Sequence, residues 1–157
     1  MVICYIGIGA NLDDPSLQIK LAIDALGNLP QSTLLATSAI YGSKPLGPQD
    51  QPDYQNAVAK IETQLEPLAL LDALQAIEIQ QGRVKLRRWG ERCIDLDILL
   101  YGQQIFNHPR LTIPHIELKK RSFVITPLRE IAPDLVLPDG CAVTQIEPEF
   151  GGDLFKL

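Results

Sequence analysis

Two aspartates lie two residues apart inside an apolar run, Asp95 and Asp97 in "CIDLDILLY". Residues i and i+2 of a strand point to one face, so both carboxylates project together. Ile94, Leu96 and Ile98 then point the other way, into a core. Carboxylates held roughly 7 Å apart at the backbone repel each other. A hard divalent cation relieves that repulsion, and magnesium favours a few carboxylates together with substrate phosphates. The plain alternative is a half-exposed strand with both carboxylates in solvent, and a DxD taken alone favours it. The preceding "RVKLRRWGER" shifts the balance. It carries five positive side chains in ten residues: Arg83, Lys85, Arg87, Arg88 and Arg92. Such a run is ordinarily a solvated surface, but Trp89 within it is costly to expose unless it packs on something. Arginine forks bind phosphate bidentately, and metal-binding carboxylates beside mobile arginines are what phosphoryl transfer requires. At least two of the five basic residues are assigned to function.

Further groups lie downstream and upstream. "RLTIPHIELKKRSF" contributes Arg110, Thr112, His115 and Arg121. His115 follows Pro114 at an expected helix entrance. A lone histidine is more often a structural hydrogen-bonder, but this one and Arg121 could reach one anion. The proline-rich "SKPLGPQDQPDY" is a long loop, and long loops in compact domains are commonly functional or disordered. It leads into "DYQNA", where Tyr54 and Asn56 share a strand face. An aromatic plane beside an amide suits a flat, hydrogen-bonding heterocycle, although spacing alone favours ordinary strand-edge packing.

The formal net charge is -5. Residues 83–92 hold five basic groups against one acid, Glu91, and "KKR" at 119–121 adds three more, so the remainder is strongly acidic. An acidic bulk repels nucleic acid, whereas compact basic islands suit a small anion such as a nucleotide phosphate chain. The three cysteines, Cys4, Cys93 and Cys141, are far apart and form no CxxC pair, which points to a reduced, cytoplasmic setting. No apolar run has the length of a membrane span, and the first residues do not read as a secretion signal. "GIGANL" lacks the third glycine of GxGxxG, and neither a GxxxxGK[ST] nor a GxSxG is present, so any nucleotide is held without a P-loop.

The elements that must position these groups follow in order. "VICYIGIGA" is a strand. "DDPSLQIKLAIDALGNLP" is a helix, capped by Asp13, Asp14 or Ser16, with Leu17, Leu21 and Leu26 as its apolar face. "STLLATSAIYG" and "NAVAKIETQ" are strands. "EPLALLDALQAIEIQQG" is a helix with Pro67 in its first turn and Gly82 at its end. "CIDLDILLY" is a strand, "QQIFN" a short hairpin strand, and "IELKKRSFVITPLREIAP" helical in two pieces broken near Pro127. The turn-rich tail packs around the outside. This is β-α-β-β-α-β with C-terminal additions: an α+β, ferredoxin-like core with an antiparallel sheet and both helices on one face. Residues 1–157 are expected to form one domain.

The run "RWGERCIDLDILLYG", with "PLGPQDQPDYQNAV" before it and "RLTIPHIELKKRSFVITPLREIAPDLVLPDG" after it, closely resembles the 6-hydroxymethyl-7,8-dihydropterin pyrophosphokinases of folate synthesis. The resemblance spans nearly the whole chain, from "YIGIGANL" to "PDG". It implies transfer of pyrophosphate from ATP to the pterin hydroxymethyl group, releasing AMP. It implies that Asp95 and Asp97 hold two magnesium ions and that Arg83 and Arg92 contact the transferring phosphates. Lys85 falls where another basic loop residue is expected. Gln75, Glu78, Trp89, Ile98, Arg110, Thr112, His115 and Arg121 match positions around ATP. Tyr54, Asn56 and Phe123 match the pterin site, where two rings sandwich the bicycle and the amide reads its edge. Backbone groups near Ser43 and Leu46 complete that pocket. The sequence departs from the family's pattern at Glu91 (commonly proline), Cys93 (commonly threonine), Ser43 (usually threonine) and Ile116 (tyrosine in some members). The basic loop is also a residue shorter than in some members, which leaves Arg87 and Arg88 without a role.

The expected partners are therefore the two small molecules, with no nucleic acid, no membrane and a monomeric state. The chain has no room for a fused aldolase or synthase domain. Two other classes stand beside this reading. A nucleotide-binding regulator would not explain paired carboxylates together with the aromatic and amide pair. An RNA-binding module is opposed by the acidic bulk and by strands lacking stacked aromatics.

Overall fold

The computed structural model describes residues 1–12, 14–43, 53–82, 94–149 and 154–157. The elements are β1 (Val2–Ala10), α1 (Pro15–Gly27), β2 (Ser32–Thr37), β3 (Tyr41–Ser43), β4 (Tyr54–Thr63), α2 (Pro67–Gln80), β5 (Asp95–Tyr101), β6 (Phe106–His108), β7 (Leu111–Ile113), α3 (Ser122–Ile131) and β8 (Phe155–Lys156). The main sheet runs β5-β1-β4-β3-β8, and β2 pairs β4 beside β3. Every pairing is antiparallel. The expected second strand is thus two pieces, β2 and β3, interrupted at 38–40. There Ser38 Oγ takes the place of a ladder carbonyl and accepts the Val58 N–H at 2.9 Å. Counting those pieces as one gives the order of a ferredoxin-like sheet.

The strand chemistry explains the layers. β1 and β4 lie in the middle of the sheet and are apolar on both faces, as strands covered on both sides must be. One face packs Ile6, Ile8, Ala59 and Ile61 against Ile19, Ala22 and Leu26 of α1 and Leu70, Leu74 and Ile77 of α2. Both helices are therefore on one face, as the element order predicts. The other face packs Tyr5, Val58, Leu99 and Leu100 under Val124, Ile125 and Leu128 of α3, with Leu137, Val143 and Ile146 from the tail. Arg129 ties tail to helix by donating to the carbonyls of Val143 and Ile146.

Three local expectations are corrected. The buried face of α1 is Ile19, Ala22 and Leu26, while Leu17 and Leu21 are exposed. This helix is apolar on more than one side, and the i, i+3, i+7 set that meets the sheet is the one it buries. Residues 116–131 do not form two helical pieces: α3 is one helix running through a buried Pro127. His115 is accordingly not at a helix entrance, since α3 begins only at Ser122. Asp14 is the cap of α1, accepting the Leu17 N–H at 3.5 Å; Asp13 is outside the described residues. α2 ends as expected, with Gly82 at φ 80° just past the cap, where a left-handed residue is needed. Among the described residues no helix is long and apolar enough to cross a membrane.

Candidate active site

β5 is an edge strand whose partner is β1, with Asp95 opposite Gly9 and Asp97 opposite Gly7. Ile94, Leu96 and Ile98 are buried against the α1/α2 layer, so the two carboxylates project from the opposite face as expected. Beyond Ile98 the register slips, and Leu99 and Leu100 both enter the α3 layer. A bulge of this kind re-aims side chains at a strand end and is common beside active sites.

The row through Asp95 continues across the sheet. Gly9 pairs Asp95 on one side and Asn56 on the other, and Asn56 pairs Tyr41. Directly opposed residues share a face, so Asp95, Asn56 and Tyr41 line up with Gly9 as a gap between them. The gap is needed. A Cβ on Gly9 would stand 2.8 Å from the Asn56 Nδ2, closer than real Cβ contacts allow. Gly7 beside it leaves a floor against which the Leu99 side chain packs. The two glycines keep the sheet surface flat between the carboxylates and the amide. Gly7 and Gly9 are positions beside the candidate site that the sequence reading did not single out for it. Their signal was glycine at alternate positions in an otherwise buried strand, which marks close approach.

On the far side of that floor, Ser43 pairs Tyr54, and its hydroxyl donates to the Asn56 Oδ1 at 3.3 Å. Phe123 is partly buried in the first turn of α3, and the Arg121 guanidinium lies 5.5 Å from its ring centroid. α3 is held over β3 by Glu130, whose carboxylate accepts the Tyr41 hydroxyl at 2.6 Å and the Ala39 N–H at 3.0 Å. Burial, first, and then that carboxylate push the Tyr41 phenol up to about 12.

Along the outer edge of β5 lies a cavity of about 400 Å³. Its walls include Gln75 and Glu78 of α2, both aspartates and Ile98 of β5, and Arg110, Thr112 and His115 from the β6–β7 hairpin region. Glu78 is buried and accepts the Leu96 N–H at 2.8 Å. Leu96 thus directs its N–H outward from the sheet, and Ile98 two residues on directs its backbone the same way. The Ile98 side chain is in the core, so what it offers the cavity is a peptide edge able to pair with a flat base. Arg110 is held across the mouth by Asp72 at 2.5 Å and Gln75 at 3.4 Å.

His115 is tied in by its N–H to the Leu99 carbonyl, and its Nδ1 accepts the Glu117 N–H at 3.1 Å. The neutral ring therefore carries its proton on Nε2, which lies 4.0 Å from the Asp97 Oδ2. Burial lowers its pKa, opposed by Asp97 and reinforced by the positive charge of Arg121.

Among the described residues no three carboxylate, imidazole or thiol groups converge as a closed metal cage. The Asp97 side chain is 49% exposed. Two carboxylates on one strand face, with no third such group converging on them among the described residues, fit magnesium, which keeps several waters and takes phosphate oxygens. They do not fit zinc, which wants a fuller set of nitrogen and sulfur ligands. The structure brings together Gln75, Glu78, Asp95, Asp97, Ile98, Arg110, Thr112 and His115 at one cavity. It brings Ser43, Tyr54 and Asn56 together on the adjoining sheet surface. Leu46, Arg83, Lys85, Arg87, Arg88, Trp89, Glu91, Arg92 and Cys93 lie outside the described residues.

Comparison with known proteins extends this geometry. A family model described as 7,8-dihydro-6-hydroxymethylpterin-pyrophosphokinase (HPPK) matches residues 5–133. A 2-amino-4-hydroxy-6-hydroxymethyldihydropteridine pyrophosphokinase of Haemophilus influenzae is 58% identical over 150 residues, covering 96% of this chain and 94% of the relative. The Pseudomonas aeruginosa protein of the same name is 54% identical over 136 residues, covering 87% and 84%. The crystal structure of Plasmodium falciparum HPPK-DHPS with pteroate superposes with a TM-score of 0.74 at 13% identity. That match covers 92% of this chain and 41% of the solved one. At that identity the likeness bears on the fold alone.

Proposed function

The chain belongs to the 7,8-dihydro-6-hydroxymethylpterin-pyrophosphokinase family, and from that premise we propose how its residues divide the work. It is an ATP-dependent diphosphotransferase that moves pyrophosphate from ATP to the hydroxymethyl group of hydroxymethyldihydropterin in folate biosynthesis. The observation that carries the assignment of residues is the row Asp95–Gly9–Asn56: carboxylates and amide share one face with an open floor between them, beside the β5 cavity.

ATP occupies the cavity along β5. The Ile98 peptide edge faces the base, and Gln75, Glu78, Arg110 and Thr112 line the nucleotide. The pterin lies on the sheet surface, with Asn56 reading its edge, Tyr54 and Phe123 against its faces, and Ser43 and Leu46 supplying backbone groups. The pterin hydroxyl oxygen attacks the β-phosphorus. The bond from that phosphorus to the oxygen bridging to the α-phosphate breaks, AMP leaves with that oxygen, and the hydroxyl proton passes to solvent. Catalysis is then mainly positioning and charge neutralisation.

Asp95 and Asp97 would hold magnesium, two ions in this reading, which when bound would offset phosphate charge and polarise the attacking hydroxyl. His115 keeps its proton on Nε2 and, being neutral, offers it to a phosphate oxygen without adding charge beside Asp97. Arg121 supplies positive charge at the same place. Arg83 and Arg92 are assigned to the β- and γ-phosphates, and Lys85 and Trp89 to ATP. We read residues 1–157 as one pyrophosphokinase domain, working in the cytoplasm as a monomer. A light-scattering mass of two chains would overturn the monomer.

The deciding experiment mixes protein, magnesium, ATP and hydroxymethyldihydropterin and follows AMP. AMP formed only with pterin present is the expected result. No AMP under any condition would leave a nucleotide-binding regulator as the better reading.

A further inference from the structure

We infer that the C-terminal strand β8 is a positioning element for the pterin side of the site, anchored by Phe155 on Gly42; this rests on the pterin assignment above. β8 pairs β3 antiparallel, with Phe155 opposite Gly42 and Lys156 opposite Tyr41. Leu157 continues the ladder, its N–H donating to the Ile40 carbonyl at 2.9 Å. The Phe155 ring fills the space in which a Gly42 side chain would stand, since a Cβ built there would overlap it. An aromatic ring laid over a cross-strand glycine is a recognised way to pin an otherwise weak edge position.

What β3 carries makes the pinning matter. Its described residues are Tyr41–Ser43, and all three are buried. Tyr41 and Ser43 flank Gly42 and point to the opposite face. Ser43 donates to Asn56, and Tyr41 donates to Glu130 of α3, the helix whose first turn presents Phe123. β3 therefore links the amide and one ring of the pterin surface, and β8 closes its outer edge. Among the described residues the ladder partners of β3 are β4 and β8, so loss of β8 leaves that ladder on β4, with Tyr41 still bonded to Glu130. The ATP cavity lies at the other edge of the sheet, beyond β1 and β4, and none of its described lining residues belongs to β8. The consequence is asymmetric: loosening β8 affects pterin binding and spares ATP.

The test uses the whole chain with Phe155→Ala, Phe155→Tyr and Gly42→Val. AMP formation is followed with pterin varied at saturating magnesium-ATP, and then the reverse. Phe155→Ala is expected to raise the pterin KM about fivefold while the ATP KM stays within about twofold. Phe155→Tyr, which keeps the ring, is expected to restore the wild-type value. Gly42→Val puts a side chain where the ring belongs and is expected to behave like Phe155→Ala. A pterin KM near wild type in Phe155→Ala would overturn the inference, as would an equal rise for both substrates. Phe155 is about half exposed, so its variants are expected to fold and decide the matter if Gly42→Val does not. Equilibrium binding of pterin in the presence of a non-transferable ATP analogue separates the two readings. Wild-type protein that binds pterin but forms no AMP would sink the activity and leave β8 to be judged on the variants' affinities.

Discussion

The Glu78 carboxylate on α2 accepts the backbone N–H of Leu96 at 2.8 Å, which ties a buried acid to the peptide between the two aspartates of β5. An edge strand has no neighbour on its outer side, so its outward N–H groups need partners from elsewhere. Glu78 supplies one at the point where the carboxylates must be held still. The sequence had placed this residue beside ATP; its position in the cavity wall allows that, and its bond to the strand adds a second duty. Glu78→Ala leaves a buried donor without this acceptor and is expected to cost about 1–3 kcal/mol. Glu78→Gln keeps a carbonyl oxygen and is expected to lose less. Thermal unfolding of both variants checks this, and equal melting temperatures for wild type and Glu78→Ala would contradict it.

Asp95→Ala and Asp97→Ala are each expected to reduce turnover to near nothing while the protein stays folded. Both side chains project away from the α1/α2 core, so removing either leaves that packing intact. Circular dichroism checks the fold and AMP release checks the rate. Activity within a few fold of wild type would remove the metal assignment.

Gly9→Ala places a methyl 2.8 Å from the Asn56 amide nitrogen. The amide must swing aside, and its bond from Ser43 goes with it. Pterin affinity is expected to fall about tenfold or more, because displacement of a reading group by about 1 Å is enough for that. The ATP KM is the control, and a variant with unaltered pterin KM would show that the floor is not used.

Tyr41 and Glu130 give a pH dependence. The Tyr41 phenol is pushed up from 10.0 to about 12 in the folded chain. The unfolded chain therefore loses this proton first as pH rises. The stabilisation is fully present below pH 10 and is lost between about pH 10 and 12. Tyr41→Phe lacks the titrating group, so its stability should fall less steeply over that window. Urea midpoints at pH 9 and pH 11 for both proteins measure the difference; parallel losses would exclude Tyr41 as a source.

Much of the fold was legible because its signals are local. Alternation marked β4, short apolar runs marked β1 and β5, Pro67 and Gly82 bounded α2, and the order of elements implied an antiparallel sheet with two helices on one face. The misreadings have the same physical root. α1 has more apolar residues than one face can bury, and only the position of the sheet selects Ile19, Ala22 and Leu26 over Leu17 and Leu21. Pro127 looks like a break, yet it sits in the buried face of α3, where packing on the sheet outweighs one missing backbone bond. In the site, Asp95 and Asp97 were readable as a pair because two residues on a strand suffice to put them together. Gly7 and Gly9 were passed over because their use depends on what stands opposite them.

The sequence by itself determined the chemistry on offer: paired carboxylates, a basic run, an aromatic and amide pair, and through their motifs the family. Those are properties of residue type and short spacing, which no packing can alter. Only the tertiary structure decided which of these groups share a surface. Asp95, Gly9 and Asn56 belong to three strands distant in the chain, and strand register alone lays them in one row. Register is set by the burial of whole faces and by pairing between distant segments, so it belongs to the folded sheet and to no single stretch of sequence.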